Sequence, residues 1–202
     1  MTMRFQLEGK AIFFVTNNVN KFNEARRVLA EQRIAVGMLR MKSLEIQSDS
    51  LKEIAESSVQ DAYRKIRLPI IIEDAGLFVE DLSGFPGPYA AYVYKTIGNS
   101  GLLRLMEKVD DRTAEFQSVI AYLSKYLESP ICFDGRIRGE ITRTEKIARR
   151  NSGFGFDPIF KPEGSKYTFA EMNTDEKNRF SHRATALRKF AEWYKTLSHK
   201  QR

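Results

Sequence analysis

The chain has 202 residues, 42% hydrophobic and 29% charged, enough for one domain with a substantial core, which excludes a disordered polypeptide. Its 33 Lys and Arg against 26 Asp and Glu, a net charge of +7, favour an anionic ligand, although the bases are scattered and cluster only at Arg149-Arg150 and the C-terminus. No run approaches the roughly 18 apolar residues of a membrane span, Met1 to Lys10 lacks the apolar core of a secretory signal, and the single Cys132 allows no internal disulfide, so a cytoplasmic protein is expected.

Ala11 to Thr16 is a short apolar run that predicts a buried strand. It ends in Thr16-Asn17-Asn18, after which Phe22, Ala25 and Leu29 recur at helical spacing, with Glu24, Arg26 and Arg27 elsewhere around the wheel. Free N–H groups and the positive end of the helix dipole make the loop from Thr16 to Lys21 a candidate anion seat; an ordinary capped turn is the alternative. It lacks the glycines of a Walker A loop. Ile34 to Arg40 predicts a second strand, Met41 to Ser50 a polar connection carrying Glu45 and Asp49, and Leu51, Ile54, Ala55, Val59, Ala62 and Ile66 one face of a long helix.

In Pro69 to Phe78, three consecutive isoleucines suit a strand buried on both faces, followed by Glu73, Asp74 and then Gly76. This order places the acidic pair at the strand's carboxyl end, as a metal site or as the solvated start of a turn. Alternating strands and helices predict an α/β fold, whose ligands favour the carboxyl ends of strands, so the Thr16 loop and the acidic pair are expected to open onto one cleft.

Gly84-Phe85-Pro86-Gly87-Pro88-Tyr89 punctuates the chain as a loop. Tyr89, Tyr92 and Tyr94 enter a short helix, which Gly98 and Gly101 separate from another at Leu102 to Glu107. Ala114 to Ser124 predicts a strand. Ile131 to Ile141 alternates between apolar and charged residues, as a half-solvated antiparallel strand of a second lobe does. In Asn151 to Phe160, Gly153 and Gly155 isolate Phe154 as an aromatic plate beside Asp157; a base could stack there, or the segment is a tight turn with hydrophobic plugs. Thr174 to Asn178 carries Lys177 on a helical turn, and Ser181 caps a last helix. Arg183 then opposes the dipole in the first turn unless it meets an anion.

These motifs occur in the order of one family. From about Ala11 to Tyr194 the chain resembles the inosine triphosphate pyrophosphatases, through Thr16-Asn17-Asn18 to Lys21 with Glu24, Glu73-Asp74-Ala75-Gly76-Leu77, Gly84 to Tyr89, Phe154-Gly155-Phe156-Asp157-Pro158 and Ser181-His182-Arg183. The resemblance implies one domain over residues 1–202, an elongated mixed β-sheet flanked by helices, and two lobes about a nucleotide-binding cleft. It implies a homodimer that hydrolyses ITP, dITP and XTP to the monophosphate and pyrophosphate with Mg²⁺, cleansing the nucleotide pool, with neither nucleic acid nor membrane as partner.

By the same resemblance, Glu45, Asp74 and Glu73 are metal ligands, and Asp74 also accepts the proton of the attacking water. Thr16, Asn17, Asn18 and Lys21 hold the triphosphate, near the backbone of Ala75. Phe154 stacks on the purine, Gly155, Phe156, Asp157 and Lys177 complete its enclosure, and His182 and Arg183 read the 6-oxo group. Adenine would then be rejected because its amino group leaves Arg183 unpaired. Many relatives carry a phosphate-contacting lysine where this chain has Ser57-Ser58. A nucleic-acid-binding module is the rival reading of the charge; Glu45, Glu73 and Asp74 argue against it, since without a metal they repel a phosphate polymer.

Overall fold

The computed structural model describes residues 11–146 and 153–200; Met1 to Lys10, Arg149-Arg150, Asn151 and the last residues of the basic C-terminus lie outside the described residues. β1 (Ile12–Val15), α1 (Val19–Glu31), β2 (Val36–Leu39), α2 (Leu51–Ile66) and β3 (Ile70–Val79) alternate as expected. β1 pairs in parallel with β2 on one side and β3 on the other. β4 (Pro86–Gly87), α3 (Ala90–Thr96), α4 (Gly98–Leu105), β5 (Thr113–Leu123), β6 (Ile131–Ile141), β7 (Phe160–Pro162), α5 (Thr174–Phe180) and α6 (His182–Lys200) follow. The result is a seven-stranded mixed sheet in the order β2-β1-β3-β5-β6-β7, with β4 beside β3. The break between α3 and α4 falls at Ile97 and Gly98, so Gly101 is inside α4 rather than in the separating turn.

The isoleucines do what their run predicts. Ile71 packs on one face with Ile12, Phe14, Ile120 and the apolar sides of α1 and α6, while Ile70 and Ile72 pack on the other with Val119, Ala121 and α2. A third cluster gathers Leu77, Val79, Ala114, Phe116 and Phe160 against α3 and α4.

β3 corrects one expectation. It does not end at the acidic pair: it runs ten residues, antiparallel to β5 from Ile70 opposite Leu123 to Val79 opposite Ala114. Gly76 is therefore not a turn residue. It is where β4 crosses closely, since a Cβ there would meet Gly87 O at 2.5 Å. On β6, a Cβ at Gly135 would meet His182 O at 2.0 Å, so this glycine lets the first turn of α6 lie directly on the sheet. Ser181 caps that turn as expected, its Oγ accepting from Ala184 N at 3.1 Å.

Candidate active site

Side chains alternate across a strand, so two adjacent acids in mid-strand must point to opposite faces. Glu73 shares the Ile71 face, beneath α1 and the start of α6. Asp74 shares the Ile70 and Ile72 face, toward α2. The two carboxylates consequently have different neighbours and different chemistry.

Glu73 is buried in a network of ions. Its Oε1 accepts from Arg183 Nε at 2.9 Å and from Ser118 Oγ at 2.8 Å, and its Oε2 lies 3.0 Å from Lys21 Nζ. Arg183 Nη1 also donates to Glu24 Oε2. Glu24 Oε1 lies 2.8 Å from Lys177 Nζ, which donates to Asp157 Oδ2 at 2.6 Å. Three carboxylates thus face three cations inside the protein. Burial disfavours the charge on Glu73, but Arg183 and Lys21 outweigh it and hold the carboxyl well below the usual range. Burial likewise opposes ionisation of Glu24, and Lys177 and Arg183 overcome it, lowering its pKa. Asp157 goes the other way: burial, helped by Glu24, raises its pKa despite Lys177.

This network gives Arg183 partners within the protein that the sequence does not reveal. The anion that rewards a cation in the first turn of α6 is supplied by the protein itself, through Nε and Nη1, while Arg183 also lines the adjoining cavity. Glu24, away from the apolar face that Phe22, Ala25 and Leu29 mark, is 5% exposed.

A cavity of about 280 Å³ opens above the network. Lys21, Lys177 and Arg183 line it on the ionic side, and Ala75, Phe154, Gly155, Phe156 and Asp157 on another. The Phe154 ring lies over Lys177 Nζ at 4.6 Å and Arg183 Cζ at 5.6 Å, while its N–H donates to Asp157 Oδ2 at 2.8 Å. His182 also lines the cavity, stacked on Phe116 with ring centroids 4.7 Å apart. Burial, reinforced by Arg183, pushes the His182 pKa well down, leaving a neutral imidazole whose buried Nδ1 has no hydrogen-bond partner.

The Thr16 loop is tied to itself as much as to the cavity. Asn18 Oδ1 caps α1 by accepting from Asn20 N at 3.0 Å and Lys21 N at 3.1 Å, so these two N–H groups are not free for an anion as expected. Thr16 Oγ1 accepts from Asn18 N, and Asn17 Nδ2 donates to Met41 O. Of these loop residues Asn18 and Lys21 line the cavity.

On the other face, Asp74 and Glu45 line a second cavity of about 430 Å³ with Gln47, Pro88, Tyr89 and Tyr92. Ala91 of α3 lines both cavities, so the two meet there. Burial raises the Asp74 pKa to about 7; Lys21 opposes the rise, and Glu73 and Glu45 add to it. Among the described residues, Asp74 Oδ2 is buried without a hydrogen-bond partner. Glu45 comes from a segment with no regular structure, anchored next door: Leu44 N donates to Asp61 Oδ2 at 2.8 Å, and Leu44 O accepts from Ser58 Oγ at 3.2 Å. Ser58 therefore fastens the Glu45 segment to α2.

Among the described residues no group of three or more His, Cys, Asp or Glu forms a metal cage. Glu73, expected beside Glu45 and Asp74, is committed to cations on the opposite face. Two hard carboxylates on one cavity, one with an orphaned oxygen, nevertheless fit Mg²⁺, which commonly takes one or two protein carboxylates. Sequence reasoning gave Glu24 no role and missed Phe116 altogether. Glu24 stood within a recognised motif, whereas an aromatic in an apolar strand carries no signal of its own.

The sequence model of the Ham1 family matches residues 12–193. Among proteins of known name, the dITP/XTP pyrophosphatase of Methanopyrus kandleri is 47% identical over 91% of this chain and 96% of its own length. That of Thermococcus kodakarensis is 50% identical over 90% of this chain and 96% of its own. Among solved structures, the Ham1 protein of Staphylococcus aureus superposes with a TM-score of 0.77 at 26% identity, covering 93% of this chain and 99% of that one. Motif order, mixed sheet and whole-chain similarity agree: the chain belongs to the Ham1 family.

Proposed function

We propose that the protein hydrolyses ITP, dITP and XTP to the nucleoside monophosphate and pyrophosphate. The observation that carries this reading is the meeting, at Ala91, of an aromatic-walled cavity with a carboxylate cavity. A purine between Phe154 and His182 would offer its edge to the unpartnered Nδ1, and its phosphates would extend past α3 toward Glu45 and Asp74. Leaving such a buried group unpaired costs about 1–3 kcal/mol, a source of preference for the base that satisfies it. The dITP/XTP pyrophosphatase relatives support the same substrate class.

Asp74 is the proton acceptor for the attacking water. Among the described residues its buried Oδ2 lacks a partner, so a water or ligand on the carboxylate cavity can supply one. Glu45 and Asp74 would hold Mg²⁺, which when bound supplies Lewis-acid polarisation and lowers the pKa of water. Lys21 lines the aromatic cavity, paired with Glu73, and its charge also reaches Asp74, so it lends positive potential to the phosphate path. A cytoplasmic homodimer belongs to the same reading, supported by the motif resemblance.

The test is pyrophosphate release from ITP, dITP, XTP, GTP and ATP, with and without Mg²⁺. Pyrophosphate from the first three in the presence of Mg²⁺ is expected. Orthophosphate alone, or no product, overturns the reading.

A further inference from the structure

We propose that Lys95 binds the phosphate nearest the sugar of a nucleotide seated in the aromatic cavity, a role that rests on the nucleotide reading above. Four cations line that cavity: Lys21, Lys95, Lys177 and Arg183. Three are already held by buried carboxylates, Lys21 by Glu73, Lys177 by Glu24 and Asp157, and Arg183 by Glu24 and Glu73. Among the described residues, Lys95 has neither an ion-pair nor a hydrogen-bond partner. Its charge is the one still uncommitted at this wall.

Position supplies the second argument. Ala91 and Lys95 are four residues apart on α3 and so lie on one helix face. Ala91 marks the seam between the cavities, and a nucleotide running from the aromatic side toward Asp74 must pass it. The first anion it carries past that seam is the phosphate on the sugar. Among the described residues no Lys or Arg lines the carboxylate cavity, and Ser58 is spent on Leu44 O. Lys95 reaches the path from the opposite helix. The bland alternative is a lysine that merely complements the C-terminal end of the α3 dipole.

Binding of IMP and of inosine, measured by calorimetry on the wild type and on Lys95→Ala, Lys95→Gln and Lys95→Arg, separates the two. Loss of one charge-assisted contact weakens IMP about tenfold in the Ala and Gln variants and leaves inosine within about twofold, and Arg restores most of the IMP affinity. In turnover, the loss appears in KM for ITP rather than in kcat. IMP affinity within about twofold of wild type, or an equal loss for IMP and inosine, overturns the proposal. Failure of the wild type to release pyrophosphate from ITP would instead strike the functional reading, while the IMP and inosine comparison still reports on the phosphate contact.

Discussion

Glu73 and Asp74 are neighbours in sequence and occupy opposite sides of one strand. On the Glu73 side the protein has brought α1, α5 and α6 together so that each carboxylate meets a cation, and the groups are locked in place. On the Asp74 side a carboxylate has been left short of partners, with Glu45 as another negative neighbour, and its proton is held to about pH 7. The difference teaches how one β-strand can serve two purposes. A satisfied buried charge builds a rigid wall, and an unsatisfied one retains reactivity that a ligand, metal or proton must complete.

Three substitutions would break or sharpen this contrast. Asp74→Asn keeps the shape and removes the proton acceptor, so pyrophosphate release should fall by about 10²–10⁴-fold with little change in thermal stability. Near-normal turnover would take Asp74 out of the chemistry. Arg183→Ala acts on the other side, stranding Glu24 and Glu73 without their shared cation. A loss of about 3–5 kcal/mol in denaturant unfolding is expected, larger than any selective change in base preference. A stable variant that has merely lost discrimination would make Arg183 chiefly a reader of the base.

The smallest effect concerns acid. Because the folded pKa of Glu24 is lowered, its ionised form contributes stability above its unfolded value near 4.5, and that contribution is lost as pH falls through the lower folded value. Glu24→Gln should therefore differ most from wild type near pH 7, begin to converge with it as pH falls below about 4.5, and meet it only below the folded value, in acid unfolding curves. A gap that stays constant with pH would show that Glu24 works through shape rather than charge.

Much of the parallel half of the fold was legible because local signals there agree: β-branched runs for strands, helical spacing for α1 and α2, and Ser181 as a cap. The site residues were legible as motifs, but not their partners. The continuation of β3 through two acids was invisible, since the cations that make burial tolerable come from Lys21 and from Arg183, 110 residues beyond Glu73. The partners of Glu24 were hidden for the same reason, as its Arg183 contact spans 159 residues. Ser58 was noticed only as a missing lysine; its hydroxyl bond to Leu44 O is a tertiary fact that no local pattern encodes.

The ion network has a consequence for the chain's overall charge. Three carboxylates cancel the three cations they face, so among the described residues Lys95 alone is left uncompensated at this wall even though the protein carries +7. A polyanion drifting past would gain little from it, because those charges have no loosely held counterions to exchange. On the proposed nucleotide reading, such a wall selects by ring, edge and fit rather than by net charge.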